Sequence, residues 1–165
     1  MSAARYWNNL WSLPMLTRRR FSAATLRAIE EVITRTEARH GGEIRFVVET
    51  ALEFSALWQG LTPRQRALQV FGELGVWDTA DNNGVLIYVL MAEHDVEIIA
   101  DRGIAARVPQ VDWEQICHDM ETAFSQGQFE QGAIAGIEGV ARLLSEHFPE
   151  STADRNEQPD RPIVR

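Results

Sequence analysis

An unbroken apolar run of seven residues, VLIYVLM, extends from Val85 to Met91 and limits the possible folds more than any other feature. The run is too short to cross a bilayer, which takes about 20 residues. It also lacks the alternation of a strand that has one face in water. Such a run predicts a central strand covered on both faces. The polar link AEHD leads to a second apolar segment, Val96 to Ala100, and a link this short predicts an antiparallel hairpin.

Helices are predicted on both sides of this hairpin from capping residues and apolar periodicity. They cover residues 22–39, 62–74, 112–127 and 129–148, and the expected N-caps of the first three are Ser22, Thr62 and Asp112. An alternating segment, Glu43 to Glu49, predicts a further strand after the first helix. The order helix, strand, helix, strand, strand, helix, helix predicts an α/β fold. We expect a three-layer α/β/α sandwich with a small mixed sheet that includes the hairpin.

The chain divides into three parts. A length of 165 residues suits one domain, which we place at residues 21–148. Residues 1–20 form an aromatic and basic N-terminal arm. Residues 149–165 are rich in Pro, Asp and Arg and have little to bury, so they are expected to be a disordered tail.

The arm combines an aromatic face with positive charge. In a helix, one face would carry Tyr6, Trp7, Leu10 and Trp11, and a basic run follows at Arg18, Arg19 and Arg20. This combination is typical of a helix that lies at a membrane surface. The alternative is an arm that packs on its own domain or on a neighbour, and the short length of the segment favours it.

Composition excludes several classes of function. The net charge of −8 argues against non-specific nucleic-acid binding. All 16 basic residues are arginines, so a Schiff-base lysine or a P-loop lysine is excluded. The single cysteine, Cys117, excludes an intrachain disulfide and any CxxC motif. Without a continuous apolar signal region at the N-terminus, we expect a soluble protein of the cytoplasm.

Oxygen-bearing side chains gather directly before the central strand, at Asp78, Asp81, Asn82 and Asn83. An EF-hand loop aligned on Gly84 would need a glutamate where Leu90 stands, so this is not an EF-hand. Antiparallel pairing around the hairpin would bring Asp101, which follows the second strand, towards Asn82 and Asn83. Hard cations accept such ligands. Ordinary turn chemistry, in which Asp and Asn bond to nearby backbone, remains the favoured alternative.

Four segments in order carry a family resemblance: RALQVFGELGV (66–76), NNGVLIYVL (82–90), VEIIADRGI (96–104) and FSQGQFEQGAIAGI (124–137). With these, residues 21–148 resemble the TPM domain family, named from a thylakoid protein group and also labelled TPM phosphatase. The chain looks like a divergent, soluble member of bacterial type. The resemblance implies an α/β/α sandwich and a role in membrane-protein maintenance or assembly. It also implies, for some members, acid phosphatase activity or divalent-cation binding at an acidic cleft.

The chain departs from the family pattern where charge matters. The family usually has Asp-Asn-Gly before the central strand, and Asn82-Asn83-Gly84 stands here. The family's Gly-x-Gly after the hairpin is Asp101-Arg102-Gly103, and the acidic residue expected before the first helix is not visible in LTRRRF. No nucleophile can be named, so enzymatic activity is left open.

Two functions follow as hypotheses. The first is a non-catalytic binding or assembly module, which needs no cofactor, for a membrane protein or membrane-associated complex. It would use the arm, or a cleft at Asp81, Asn82, Asn83, Gly84, Asp101 and Arg102. The arm adds possible peripheral contact with the inner membrane. The alternative is a phosphomonoesterase dependent on Ca²⁺ or Mg²⁺, with the ion held by Asp78, Asp81 and Asp101 and the phosphate charge neutralised by Arg102.

Overall fold

The computed structural model describes residues 3–149 and 156–165. Its helices are α1 (Ala3–Trp11), α2 (Pro14–Arg20), α3 (Ala23–Glu37), α4 (Phe54–Trp58), α5 (Pro63–Glu73), α6 (Arg102–Ala105), α7 (Gln110–Ser125) and α8 (Phe129–His147). Its strands are β1 (Glu43–Glu49), β2 (Gly84–Leu90), β3 (Asp95–Ala100) and β4 (Ile163–Val164).

The four strands form one mixed sheet in the order β3-β2-β1-β4. β2 pairs antiparallel with β3, which confirms the hairpin, and parallel with β1. All residues of β2 are buried, as its apolar run predicted. β4 pairs parallel with the other edge of β1.

Helices cover both faces of the sheet, so the predicted three-layer α/β/α sandwich is confirmed. On one face, side chains such as Ile44 and Ile87 pack with α3, α7 and α8 in the larger apolar cluster. On the other face, side chains such as Leu86 and Tyr88 pack with α4 and α5 in the smaller cluster. The alternation of side chains along a strand explains why neighbouring residues enter different clusters.

The helices that follow the hairpin differ from the prediction in two ways. The short helix α6 was not foreseen; Asp101 forms its N-cap and accepts a hydrogen bond from the Arg102 amide. The next helix begins at Gln110 with Pro109 as its N-cap, and Asp112 lies in its first turn rather than capping it. Proline is compatible with a helix start because its φ is already near the helical value.

The prediction of a disordered tail is wrong for residues 156–165. This segment contains β4, which hydrogen-bonds to the edge of β1, and it buries the side chain of Gln158. Residue 149 forms an isolated bridge with His40. Residues 150–155 lie outside the described part of the chain. Composition does not predict this ordered segment, because most of its contacts use backbone groups and polar side chains, and hydropathy does not measure such contacts.

The same segment explains two buried charges on β1. Glu43 and Arg45 are buried, although the alternation of the strand predicted them on a polar face. The Glu43 carboxylate accepts hydrogen bonds from the amides of Glu157 and Gln158, at 3.1 and 3.0 Å. Arg45 donates to the Pro159 carbonyl. These bonds offset the desolvation of charged groups that would otherwise be costly to bury.

The N-terminal helices pack on the domain at the carboxyl end of β1 and β2, as the favoured alternative predicted. Asn9 accepts a hydrogen bond from the Leu52 amide at 2.8 Å, and Arg5 forms an ion pair with Glu93 at 2.8 Å. Trp7 nevertheless remains 59% exposed. The side chains of Leu10 and Trp11 lie outside the described part. Within residues 3–149 and 156–165, none of the helices has the length and apolarity of a membrane span.

Glu37, at the end of α3, is a buried acid at the edge of the sheet. One of its oxygens accepts a 2.7 Å hydrogen bond from the Ile44 amide, and the other has no partner in the described residues. Burial, together with the nearby charges of Glu43 and Asp160, raises the pKa of Glu37 from 4.5 to about 9, against the lowering effect of the hydrogen bond from Ile44. Between about pH 4.5 and pH 9, the folded state therefore holds a proton that the unfolded state has released. The stability of the folded state falls as pH rises through this range.

We expect Glu37→Gln to flatten this pH dependence, because glutamine keeps the oxygen that accepts from Ile44 but does not titrate. Between pH 7 and pH 9, the unmodified protein should lose stability with a slope of at most about 1.4 kcal/mol per pH unit from this group. Thermal or urea unfolding followed by circular dichroism measures the slope. The exposed Glu31→Gln, on the same helix, is the control. If the Glu37 and Glu31 variants lose stability with the same slope, the assignment to Glu37 is wrong.

Candidate functional site

The loop before β2 and the turn after β3 meet at the amino end of the central strand. The Asp101 amide donates to the Gly84 carbonyl at 2.9 Å, and the Glu43 amide donates to the Asn83 carbonyl at 3.1 Å. The hairpin thus brings Asp101 beside Asn83 and Gly84, the placement that the sequence predicted. We call this group the amino-end site.

The half-buried Asn82 and the exposed Arg102 form the rim of the amino-end site. The Arg102 Nε donates to Asn82 Oδ1 at 2.9 Å. Among the described residues, Arg102 forms no ion pair with the neighbouring Asp101. Asn82 has a φ of 53°, in the left-handed region that asparagine tolerates better than most residues. Its amide donates to the Thr79 carbonyl at 3.3 Å, as in a turn, but its side chain bonds to Arg102 and not to nearby backbone.

Asn83 and Asp101 form the buried part of the amino-end site, at 4% and 8% exposure. Asn83 donates through its side chain to the Gly41 carbonyl, while Asp101 Oδ1 accepts from the Arg102 amide at 2.6 Å. The other side-chain oxygen of each residue, Asn83 Oδ1 and Asp101 Oδ2, is buried without a partner in the described structure. Buried oxygens are normally satisfied, so these two atoms are where a cation, a water molecule or a donor group of a ligand would be expected.

Two glycines allow the backbone to close around the amino-end site. A Cβ on Gly103 would lie 2.6 Å from the Asn82 carbonyl oxygen and 3.0 Å from that of Asp81. A Cβ on Gly84 would meet the Val76 carbonyl. Because Gly103 has no side chain, the main-chain oxygens of Asp81 and Asn82 can lie against the start of α6.

The predicted carboxylates do not form a cluster. Asp78 and Asp81 are exposed, whereas Asp101 is buried. The described residues contain no group of three or more His, Cys, Asp or Glu side chains placed to hold a metal ion. An ion at the amino-end site would therefore depend on Asp101, Asn83 and main-chain carbonyls rather than on the predicted set of Asp78, Asp81 and Asp101. Such a mixed set suits a hard cation, but it supplies only one buried carboxylate.

A groove opens at the opposite, carboxyl end of β2. Helices α1 and α2 form one wall and the turn between β2 and β3 forms the other, and the volume is about 390 Å³. Its lining includes Trp7, Leu13, Leu16, Arg20, Met91 and His94. Crevices at the carboxyl ends of parallel strands are common binding places in α/β folds. The sequence did not predict a binding role for Leu13 and Leu16, because Pro14 and Thr17 interrupt any simple apolar pattern around them.

An exposed surface continues from this groove along α2, and we call it the arm surface: Trp7, Leu13, Met15, Leu16, Arg18, Arg19 and Arg20. Met15 is 73% exposed. The three arginines form no ion pair with any carboxylate in the described residues. Arg20 lies 5.1 Å from the centre of the Phe129 ring, which holds its guanidinium against the domain. The arm surface is therefore apolar and locally positive on a chain whose net charge is −8.

Similar structures support this architecture. The NMR structure of the BA42 protein from the psychrophilic bacterium Bizionia argentinensis is 31% identical, with a TM-score of 0.77; the match covers 87% of this chain and 94% of that one. The N-terminal domain of a protein from P. gingivalis is 20% identical, with a TM-score of 0.59, and covers 79% of this chain and 82% of that one. The N-terminal domain of the cg2496 protein from Corynebacterium glutamicum is 17% identical, with a TM-score of 0.55, and covers 83% and 82%. At these lower identities, the second and third show the fold alone.

Family assignment rests on the sequence as well. No curated protein matches the chain significantly. The family model described as the TPM domain matches residues 17–143. This range contains β1, β2, β3 and the helices from α3 to α7, together with most of α8. The chain belongs to the TPM domain family.

Proposed function

We propose that this TPM-domain protein is a non-catalytic binding or assembly module that acts at the cytoplasmic face of a membrane, on a membrane protein or membrane-associated complex. The arm surface is its contact with the membrane. The observation that carries the proposal is the exposure of apolar side chains beside three arginines without ion-pair partners in the described structure. No cofactor is needed for this role.

The chemistry of the arm surface suits an anionic interface. Transfer of a side chain such as Met15 or Leu13 from water into an apolar environment is worth about 1.5–3 kcal/mol. An arginine near an anionic lipid surface adds about 1 kcal/mol. Neither term alone anchors a protein, but apolar insertion and a basic cluster together are the usual combination for peripheral binding. The short helices α1 and α2 are already held by the domain, so less ordering entropy opposes binding than for a free peptide.

The amino-end site favours a binding role over catalysis. Asp101 supplies its buried carboxylate oxygen without a partner in the described structure, the Glu43 carboxylate is bonded to the amides of Glu157 and Gln158, and Arg102 is engaged with Asn82. General acid–base catalysis requires positioned groups that exchange protons with the substrate, and two such groups are not present together among the described residues of this site. The cluster of acids that a metal-dependent hydrolase would use is also absent from the described residues.

Charge on the arm surface should control membrane binding. We expect the triple variant Arg18→Gln, Arg19→Gln, Arg20→Gln to lower partitioning onto phosphatidylcholine vesicles that contain phosphatidylglycerol by about 100-fold. Co-sedimentation of the full chain measures this partitioning. The matched control replaces by glutamine three other exposed arginines that form no ion pair with a described residue, Arg27, Arg39 and Arg142. Equal loss in both triple variants would mean that overall charge, rather than the arm surface, drives binding.

Apolar insertion is tested separately. We expect Met15→Ser to weaken binding to the same vesicles by about tenfold, because one inserted side chain is lost. Leu68→Ser, which replaces an exposed apolar residue on α5, should leave binding unchanged. A protein that binds neither mixed vesicles nor pure phosphatidylcholine vesicles at low salt would contradict a membrane-surface role.

A second candidate function is a Ca²⁺- or Mg²⁺-dependent phosphomonoesterase at the amino-end site. The specific observation in its favour is the pair of buried, unpartnered oxygens Asn83 Oδ1 and Asp101 Oδ2. A divalent cation would polarise a phosphoryl group and neutralise developing charge. Asp101 and Asn83 would hold it, and Arg102 would contact the phosphate if it released Asn82.

Calorimetric titration with each cation, beside hydrolysis of p-nitrophenyl phosphate at acid pH, tests this second function. If it holds, Asp101→Asn should weaken cation binding by at least about tenfold and abolish turnover. Asparagine keeps the oxygen that caps α6, so the fold should be retained. Asp78→Asn, at an exposed position, is the control. Absence of both binding heat and turnover in the unmodified protein rejects the phosphatase; turnover that depends on Asp101 rejects the non-catalytic proposal.

A further inference from the structure

We infer that the edge of β1 is a strand-accepting groove for an extended segment of a partner protein, and that residues 156–165 are its built-in occupant. A partner segment of the same chemistry would displace them. This inference goes beyond the proposed function and uses a different surface from the arm surface. It rests on how residues 156–165 are held.

Backbone pairing fixes the end of the segment against β1. Val47 and Val48 pair with Ile163 and Val164 in parallel register. The Arg165 amide donates to the Val48 carbonyl at 2.8 Å, and the Thr50 amide and hydroxyl both donate to the Arg165 carbonyl at 3.0 Å. Main-chain pairing of this kind supplies affinity without strong sequence preference, as in other complexes where a peptide adds a strand to a sheet.

Side-chain contacts at the start of the segment supply selectivity. The Glu43 carboxylate accepts from two successive amides, and Arg45 donates to the next carbonyl, that of Pro159. Gln158 is buried and donates from its side chain to the Gly75 carbonyl at 3.0 Å. The glutamine side chain is therefore recognised at this end of the groove, and charged groups of β1 bind the backbone of the segment.

Ion pairs bind the C-terminal end of the segment. Arg165 pairs with Glu73 at 2.6 Å, and the same carboxylate group also pairs with Arg66 at 2.8 Å. Between the two ends, Ile163 and Val164 are partly buried, and each packs at the margin of an apolar cluster. The groove thus fits an extended segment that has a glutamine, then four further residues, then two apolar residues and an arginine. This pattern defines the chemistry of the partner.

The domain does not need the segment to complete its core. The family model matches residues 17–143, so the strands β1 to β3 belong to the family domain and residues 156–165 lie outside it. The fully buried side chains of both apolar clusters belong to residues 21–144. Without the segment, one edge of β1 would present free amides and carbonyls, and such an edge pairs readily with another strand. Release of residues 156–165 would therefore open a binding edge without unfolding the sheet.

Binding of a fluorescein-labelled peptide, with the sequence of residues 156–165, to the full chain tests the inference by fluorescence anisotropy. The variant Gln158→Ala, Ile163→Ser weakens only the built-in occupant and leaves the groove intact. We expect this variant to bind the peptide at least tenfold more tightly than the unmodified chain. A scrambled peptide of equal composition is the control. If the variant keeps its circular dichroism spectrum but binds neither peptide, or binds both equally, the inference is overturned.

Hydrogen exchange on the unmodified protein gives a test that does not depend on a variant folding. The Thr50 amide, bonded to Arg165, should exchange at least tenfold faster than the Met91 amide, which bonds to Glu49 between β1 and β2. Equal protection would mean that the segment leaves only when the domain unfolds, and it would overturn the inference. A dimer of the unmodified chain that the peptide dissociates would make a second copy the occupant and would overturn the assignment to a partner.

Discussion

The burial of β2 on both faces is the constraint on which the rest of the structure depends. Because the whole strand is apolar and buried, helices must cover each side of the sheet, and they do so in two separate clusters. β2 also carries both neighbours that define the sites: β1 in parallel and β3 in antiparallel register. Its amino end meets Asp101 because the hairpin is tight, and its carboxyl end opens into the groove beneath α1 and α2.

The sequence predicted the elements whose signals are local. The Ser22 and Thr62 caps start helices where they were expected, and both side chains accept the hydrogen bonds that capping requires. The strand from Glu43 to Glu49 has the predicted bounds. The approach of Asp101 to the loop before β2 was also predictable, because it follows from antiparallel register alone.

Features that depend on distant contacts were not predictable. Glu43 and Arg45 look like a solvated face until residues 157–159, far along the chain, cover them. The same long-range contact turned an expected tail into a strand. In the candidate site, the sequence could place Asp78, Asp81 and Asp101 within one neighbourhood, but it could not show that only Asp101 is buried. Side-chain direction in an irregular loop is set by packing, which composition does not encode.

The proposed contact with a membrane surface lies on α1 and α2, outside the main sheet. Hydrogen exchange of the full chain, followed by mass spectrometry with and without phosphatidylglycerol-containing vesicles, tests the central claim most directly. The account predicts that residues 13–20 gain protection on vesicle binding, while α7 and α8 do not change. Protection confined to the helices of the main domain, or no change in residues 13–20, would contradict it.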